Sequence, residues 1–200
     1  MKYFVLTFLL FIFFNCTSSK QTKPIEPNPL YFSENNTSGL VVGTLTFVHE
    51  RARFGNYSIQ VVNKNENEYI AKQNSTTVNI IPDLLWKPKH RGELDNGQTY
   101  LIVFKRMKGS YEINHIDVSG QGISTTFSSV FSGFSIPFNV EEGKITYIGN
   151  LIIDEFSDNS TYGIIHRNNF DRDIEEFQKI YPNVKFSAEK VIRDTIRIKD

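Results

Sequence analysis

Four histidines, His49, His90, His115 and His166, carry most of the acid–base and metal-binding potential of this 200-residue chain. No two are close in sequence. No His-Glu-x-x-His occurs, so the commonest zinc-peptidase helix is excluded. His115 lies in Asn114-His-Ile-Asp117. On a strand, residues two apart project from one face, so His115 and Asp117 can pair there as an acid–base or metal-binding couple, or simply as surface neighbours. Nucleophile signatures are equally thin. There is no Gly-x-Ser-x-Gly elbow, and Ser119-Gly-Gln-Gly122 and Ser132-Gly-Phe-Ser135 have the wrong order and read as loops. No glycine-rich loop ends in Lys-Ser or Lys-Thr. No catalytic residue, metal ligand or cofactor is assigned, and the expected role is non-enzymatic.

The loop with the best recognition chemistry is Pro82-Asp-Leu-Leu-Trp-Lys-Pro-Lys-His-Arg-Gly-Glu-Leu94. It holds the single tryptophan, Trp86, and a basic group of Lys87, Lys89, His90 and Arg91. Two prolines argue against regular structure. Trp and Arg are enriched where proteins bind one another, and loops on β-scaffolds carry recognition. These five residues form the candidate binding loop. The alternative is that Trp86 folds under as a core plug, with the basic side chains solvated.

One further residue has distinctive chemistry. The single cysteine, Cys16, stands just after Phe4-Val-Leu-Thr-Phe-Leu-Leu-Phe-Ile-Phe-Phe14, with Lys2 ahead of that apolar stretch. The stretch is shorter than the roughly 20 residues a bilayer span needs, and the plan is that of a secretory signal peptide. A lone cysteine in this place resembles the lipobox of bacterial lipoproteins. The family prefers Leu three residues before the cysteine and a small residue directly before it, where this chain has Phe13 and Asn15. The resemblance implies cleavage before Cys16 and acyl chains on that residue, so residues 1–15 are the leader and the partner is a membrane. Each buried CH₂ contributes about 0.8 kcal/mol, so two or three chains hold a protein permanently. Residue 17 is Thr rather than the Asp that retains many such proteins at the inner membrane, which favours the outer membrane. Ordinary secretion, with cleavage after Ser18 or Ser19, is the alternative.

The elements that would position these groups follow. Residues 16–38 contain Pro24, Pro27 and Pro29 among Ser, Thr and Asn and read as a flexible tether, about 60 Å long if extended at ~3.1 Å per residue. Leu30-Tyr-Phe32 can alternatively dock as an edge strand. From residue 39 to residue 200 the pattern is one β-rich domain. Gly39–Val48 and Tyr57–Val62 read as strands, and Glu68–Ile81 as one or two more. Asp95-Asn-Gly97 is a turn. Thr99–Phe104, apolar on both faces, reads as a central strand. Lys108-Gly109 and Glu142-Gly143 read as reversals, the second closing a hairpin between Ile136–Val140 and Lys144–Ile153. Pro137 marks an edge strand, and Thr195–Ile198 reads as the last strand. One helix is expected near 169–181. Phe170, Ile174, Phe177 and Ile180-Tyr181 form an apolar stripe, Asp171 and Asp173 sit in the first turn, and Pro182 stops it.

The 22 basic and 22 acidic side chains cancel, so no whole-protein field attracts nucleic acid, and one cysteine excludes an intrachain disulfide framework. The fold class is mainly β, with an antiparallel sandwich of short strands and one short C-terminal helix. Lys108-Gly-Ser-Tyr-Glu-Ile113, Ser135–Gly149, Asn169–Ile174 and Ile180-Tyr-Pro182 are similar, in that order, to a broad set of uncharacterised bacterial lipoproteins. The resemblance covers roughly residues 95–183. It implies an immunoglobulin-like or transthyretin-like (carboxypeptidase-regulatory-like) β-sandwich in the cell envelope, facing the periplasm or the cell surface, and it carries over no catalytic residue. The expected role is structural, or binding of an envelope protein or external ligand. The rivals are a periplasmic assembly or accessory factor, and a hydrolase or metal enzyme with a site assembled across strands.

Overall fold

The computed structural model describes residues 30 and 32 and residues 37–83, 88–121, 125–157, 163–186 and 191–193, with side chains omitted at 121 and 191–193. The chain divides into Met1–Leu30 and Tyr31–Asp200, and the architecture below belongs to the second unit. The leader, Cys16, most of the tether, Trp86, Lys87 and the strand expected at 195–198 lie outside the described residues.

The domain is mainly β. In chain order the elements are β1 (Ser38–Phe47), β2 (Asn56–Asn63), α1 (Glu68–Asn74), β3 (Thr76–Ile80), a 3-10 turn (Asp95–Gly97), β4 (Thr99–Met107), β5 (Gly109–Gln121), β6 (Thr126–Phe131), β7 (Ile136–Val140), β8 (Ile145–Asp154), β9 (Gly163–Arg167), α2 (Phe170–Ile180) and β10 (Val191–Arg193). They build two five-stranded sheets. In the first, β8 lies between β1 and the pair β9 and β10, and β4 flanks β1. In the second the order is β3-β2-β5, with β6 and β7 pairing successive stretches of β5.

The two sheets share one apolar core, to which β1 contributes Val41, Leu45 and Phe47, and β5 contributes Ile113, Ile116 and Val118. β2 shows the alternation of a strand with one solvated face. β1 does not, because α2 covers the other face of its sheet. Thr44 and Tyr147 each donate a hydrogen bond to the buried Asp173 carboxylate, at 2.8 and 2.7 Å, and the Phe170 ring stands edge-on to Tyr147. The helix lies where its apolar stripe predicts. Its first turn is closed by Asn168, whose side chain accepts the Phe170 N–H at 3.1 Å.

Four expectations change. Glu68–Ile81 holds a helix before its strand: the Asn67 side chain accepts the N–H groups of Tyr69 and Ile70, and this cap turns a polar segment with no buried residue into α1. β4 is an edge strand, not a central one. Ile102, with Tyr100 and Phe104 beside it, faces the shared core, while Leu101 and Val103 on the other side are half-buried. The reversals at Lys108-Gly109 and Glu142-Gly143 do not close hairpins. β4 pairs with β1 while β5 pairs with β2, and β7 pairs with β5 while β8 pairs with β1, so the chain changes sheets at each turn. The first sheet is also not wholly antiparallel, since β8 runs parallel to both β1 and β10. Pro137 sits opposite Glu112 in β7, which pairs with β5 alone among the described strands, as an edge residue should. At Asp95-Asn-Gly97 all three residues have positive φ (52°, 56° and 93°), which Asp, Asn and Gly tolerate best.

The registers gather the connections. Phe47 is level with Ile153, Thr46 with Thr99, Tyr57 with both Ile80 and Val118, and Gln121 with Thr126. The strand ends that flank these connections, at Phe47 and Asn56, Ile80 and Thr99, Gln121 and Thr126, and Asp154 and Gly163, therefore lie at one pole. The chain arrives at Ser38, at the opposite end of the ten-residue β1.

Candidate functional site

The densest set of titratable and aromatic groups lies at the loop pole, around Glu155. This residue follows β8 directly, so the strand that carries Ile153 into the core delivers its carboxylate beneath the loops. Charge buried without partners is costly, and Glu155 has three donors. Its Oε1 accepts the Arg53 N–H at 2.8 Å and lies 3.2 Å from His90 Nε2, and its Oε2 accepts the Tyr57 hydroxyl. The Arg53 guanidinium adds a bond from Nη1 to the Glu155 carbonyl at 2.7 Å. The Tyr57 oxygen in turn accepts the Phe54 N–H at 3.1 Å. Burial first, and the Glu155 charge second, push the Tyr57 phenol far above its ordinary range, so it keeps its proton and donates it to the carboxylate.

His90 completes the set. Its ring stacks on Phe47, with centroids 3.7 Å apart and planes 7° from parallel. With the carboxylate at Nε2, that nitrogen carries the proton, and Nδ1 faces the Tyr100 hydroxyl at 3.4 Å. Tyr100 also accepts the Arg91 N–H at 2.7 Å, and burial raises its phenol as well. The types present are those of acid–base catalysis, yet the His90 and Glu155 side chains are both 0% exposed. Two surface depressions lie elsewhere, one bordered by Lys64, Glu112 and Asn139 and one by Asn168–Arg172. Proton transfer to a substrate needs hydrogen-bond reach, and a sealed carboxylate offers none. What the arrangement does is bind loops 48–55, 81–98 and 155–157 to one another through one buried charge.

This corrects the expectation for His90, which is a core residue rather than a solvent-facing member of a basic loop. Segment 88–90 is extended, with Lys89 bridged to Asp83 and Arg51, so neighbouring side chains alternate in direction. Lys89 points outward to Glu50, Arg91 lies 3.5 Å from Asp83, and His90 between them points in. Loop 82–94 therefore brings together only Lys89 and Arg91 as described surface cations, while Trp86 and Lys87 lie outside the described residues.

His115 and Asp117 share the outer face of the second sheet, with Nε2 and Oδ2 3.9 Å apart. Asn114 faces His115 Nδ1 at 2.7 Å, and Gln60 donates to Asp117 at 2.8 Å. Among the described residues no group of three or more His, Cys, Asp and Glu is placed to hold a metal ion. His49 contacts Asp154 at 3.3 Å and the edge of Phe156. His166 donates from Nε2 to the Ile148 carbonyl at 2.7 Å, and its burial lowers its basicity. Room for that ring is made by Gly149 at φ 87°, where a Cβ would collide with it.

Sequence reasoning overlooked Glu155 and Asp173. Each left a signal. Glu155 stands between the apolar Ile153 and Phe156, and Asp173 falls at helical spacing within the stripe Phe170-Asp173-Phe177.

No family model and no curated protein matches the chain. Among solved structures, a leucine-rich repeat protein from Bacteroides thetaiotaomicron aligns with 60% of this chain at 15% identity and a TM-score of 0.32. This chain spans 14% of that protein, and so loose an overlap carries no argument about fold or activity. Among the described residues no helix is long and apolar enough to cross a membrane.

Proposed function

We propose that this chain is a lipid-anchored protein of a bacterial envelope, held at the outer membrane by acyl chains on Cys16. In this reading residues 39–200 form a β-sandwich of the immunoglobulin-like or transthyretin-like kind, and its work is non-enzymatic: it presents a binding surface to an envelope component or an external ligand. The observation that carries the anchor is the lone cysteine directly after an apolar leader and ahead of a proline-containing segment. Two features of the fold support display rather than catalysis. The titratable groups that converge are sealed and mutually hydrogen-bonded. The strand ends flanking four connections lie at the pole opposite the one where the chain arrives at Ser38.

The test is intact mass and membrane fractionation of the wild type beside Cys16→Ala. The expected result is a mass gain of two or three acyl chains on Cys16, with membrane association lost in the variant. A soluble, unacylated wild type would overturn the anchor and return weight to a freely secreted domain.

A further inference from the structure

The second sheet buries one face and leaves the other solvated. Along β2 the alternation puts Asn56, Ser58 and Gln60 on the outer side, and on β3 Thr77 and Asn79 are exposed. The registers align such side chains in rows that cross the strands. Asn79, Ser58, Asp117 and Val130 stand level on β3, β2, β5 and β6. Asn56, Ser119 and Ser128 form a second row on β2, β5 and β6.

Hydrogen bonds fix these side chains from within. Asn56 donates to Ser58 Oγ, Ser58 to Asn79 Oδ1, Thr77 to Gln60 Oε1 and Gln60 to Asp117 Oδ2, each at 2.8 Å. No bond among the described residues takes up the Asn79 amide N–H groups or Asp117 Oδ1. The face therefore presents donors and acceptors that are already held in place and still have bonds to give.

We propose that this face binds an extended, uncharged polysaccharide whose chain crosses the strands. Each sugar hydroxyl both donates and accepts, as the amides and hydroxyls of these rows do. The rows step by the strand spacing, about 4.8 Å, and one pyranose of an extended β-1,4-linked chain advances by nearly the same length. Successive sugars therefore meet successive strands. Short side chains that hold one another lose little freedom when a ligand arrives. Val130, 47% exposed at the end of the first row, offers an apolar spot to the C–H face of a ring. The rows carry one charge, the Asp117 carboxylate, which turns away acidic chains. They hold none of the aromatic or arginine anchors on which protein interfaces depend. The inference rests on the display reading and supplies its ligand class.

Native gels of the full chain in neutral detergent test it, cast with β-1,4-glucomannan, with dextran or with polygalacturonate. Dextran is neutral but lacks the extended repeat, and polygalacturonate is charged. The wild type is expected to be slowed by glucomannan alone. Asn79→Ala and Asp117→Ala change solvated side chains, so both keep the wild-type melting curve. Each is expected to need roughly tenfold more glucomannan for the same retardation. The gel reads sugar binding and not membrane attachment. An unacylated wild type that glucomannan still slows would overturn the anchor alone, and an acylated one that it does not slow would overturn this inference alone. Equal retardation by all three polymers, or variants slowed like the wild type, would also overturn it. Oligomers dispersed by Asn79→Lys, with no retardation, would assign the face to a second copy instead.

Discussion

Glu155 holds three separate loops through one carboxylate, so its chemistry is felt well beyond its own position. A glutamine there keeps one acceptor oxygen but turns an NH₂ group toward a donor, either the Tyr57 hydroxyl or the Arg53 N–H. Leaving such a buried donor unmatched costs about 1–3 kcal/mol. Glu155→Gln is therefore expected to lower the free energy of unfolding by that amount, read as a lower urea midpoint with the dependence on denaturant unchanged. Combined with Tyr57→Phe, it is expected to cost less than the two single changes added, because the two residues share one bond. Additive costs would show that the Tyr57–Glu155 bond contributes nothing to the folded state. Asp173 plays the corresponding part on the other side of the first sheet, accepting from Thr44 and Tyr147 while Arg172 reaches its Oδ1 at 2.8 Å.

At the scale of elements, the two helices exist for different reasons. α2 is tertiary in origin: its stripe buries Phe170 and Phe177, and its carboxylate is tied to the sheet. α1 buries nothing and depends on its cap. Asn67→Ala is expected to cost about 1 kcal/mol of local helix stability. Hydrogen exchange should then speed up over Glu68–Asn74 while the global melt stays put. A shift of the whole melting curve would show that α1 is coupled to the core. The strands divide in the same way. β2 is legible because one face is solvated and the period of two survives. β4 is misread because apolar content does not record position in the sheet: its run of apolar residues lies at an edge.

For the whole molecule, the decisive residue is Phe47. It belongs to the first sheet, packs against Tyr57 of the second at 4.6 Å, and stacks on the loop residue His90. Phe47→Ala is expected to cost about 3–5 kcal/mol. Because both sheets share its core, calorimetry should show a single transition moved to lower temperature. Two separate transitions would mean that the sheets unfold independently.

The sequence by itself determined local quantities: where several of the strands lie, where Asp95-Asn-Gly97 turns, that Pro137 marks an edge, and that one amphipathic helix spans residues near 169–181, while β6 and β9 went unread and α1 was read as strand. Each depends on a few neighbouring residues, through backbone sterics, the missing N–H of proline or the 3.6-residue period. Only the tertiary structure decided which strands meet. A turn such as Lys108-Gly109 reverses the chain without naming its next partner, and β1 finds β8 across roughly a hundred residues, where no local preference reaches. The same holds for the candidate site. Lys89 and Arg91 lie at the surface, but His90 between them became core because Phe47 and Glu155, both remote in sequence, supply an aromatic face and a carboxylate. The side-chain types said that these groups could titrate. Burial, which belongs to the assembled fold alone, decided that they bind one another instead.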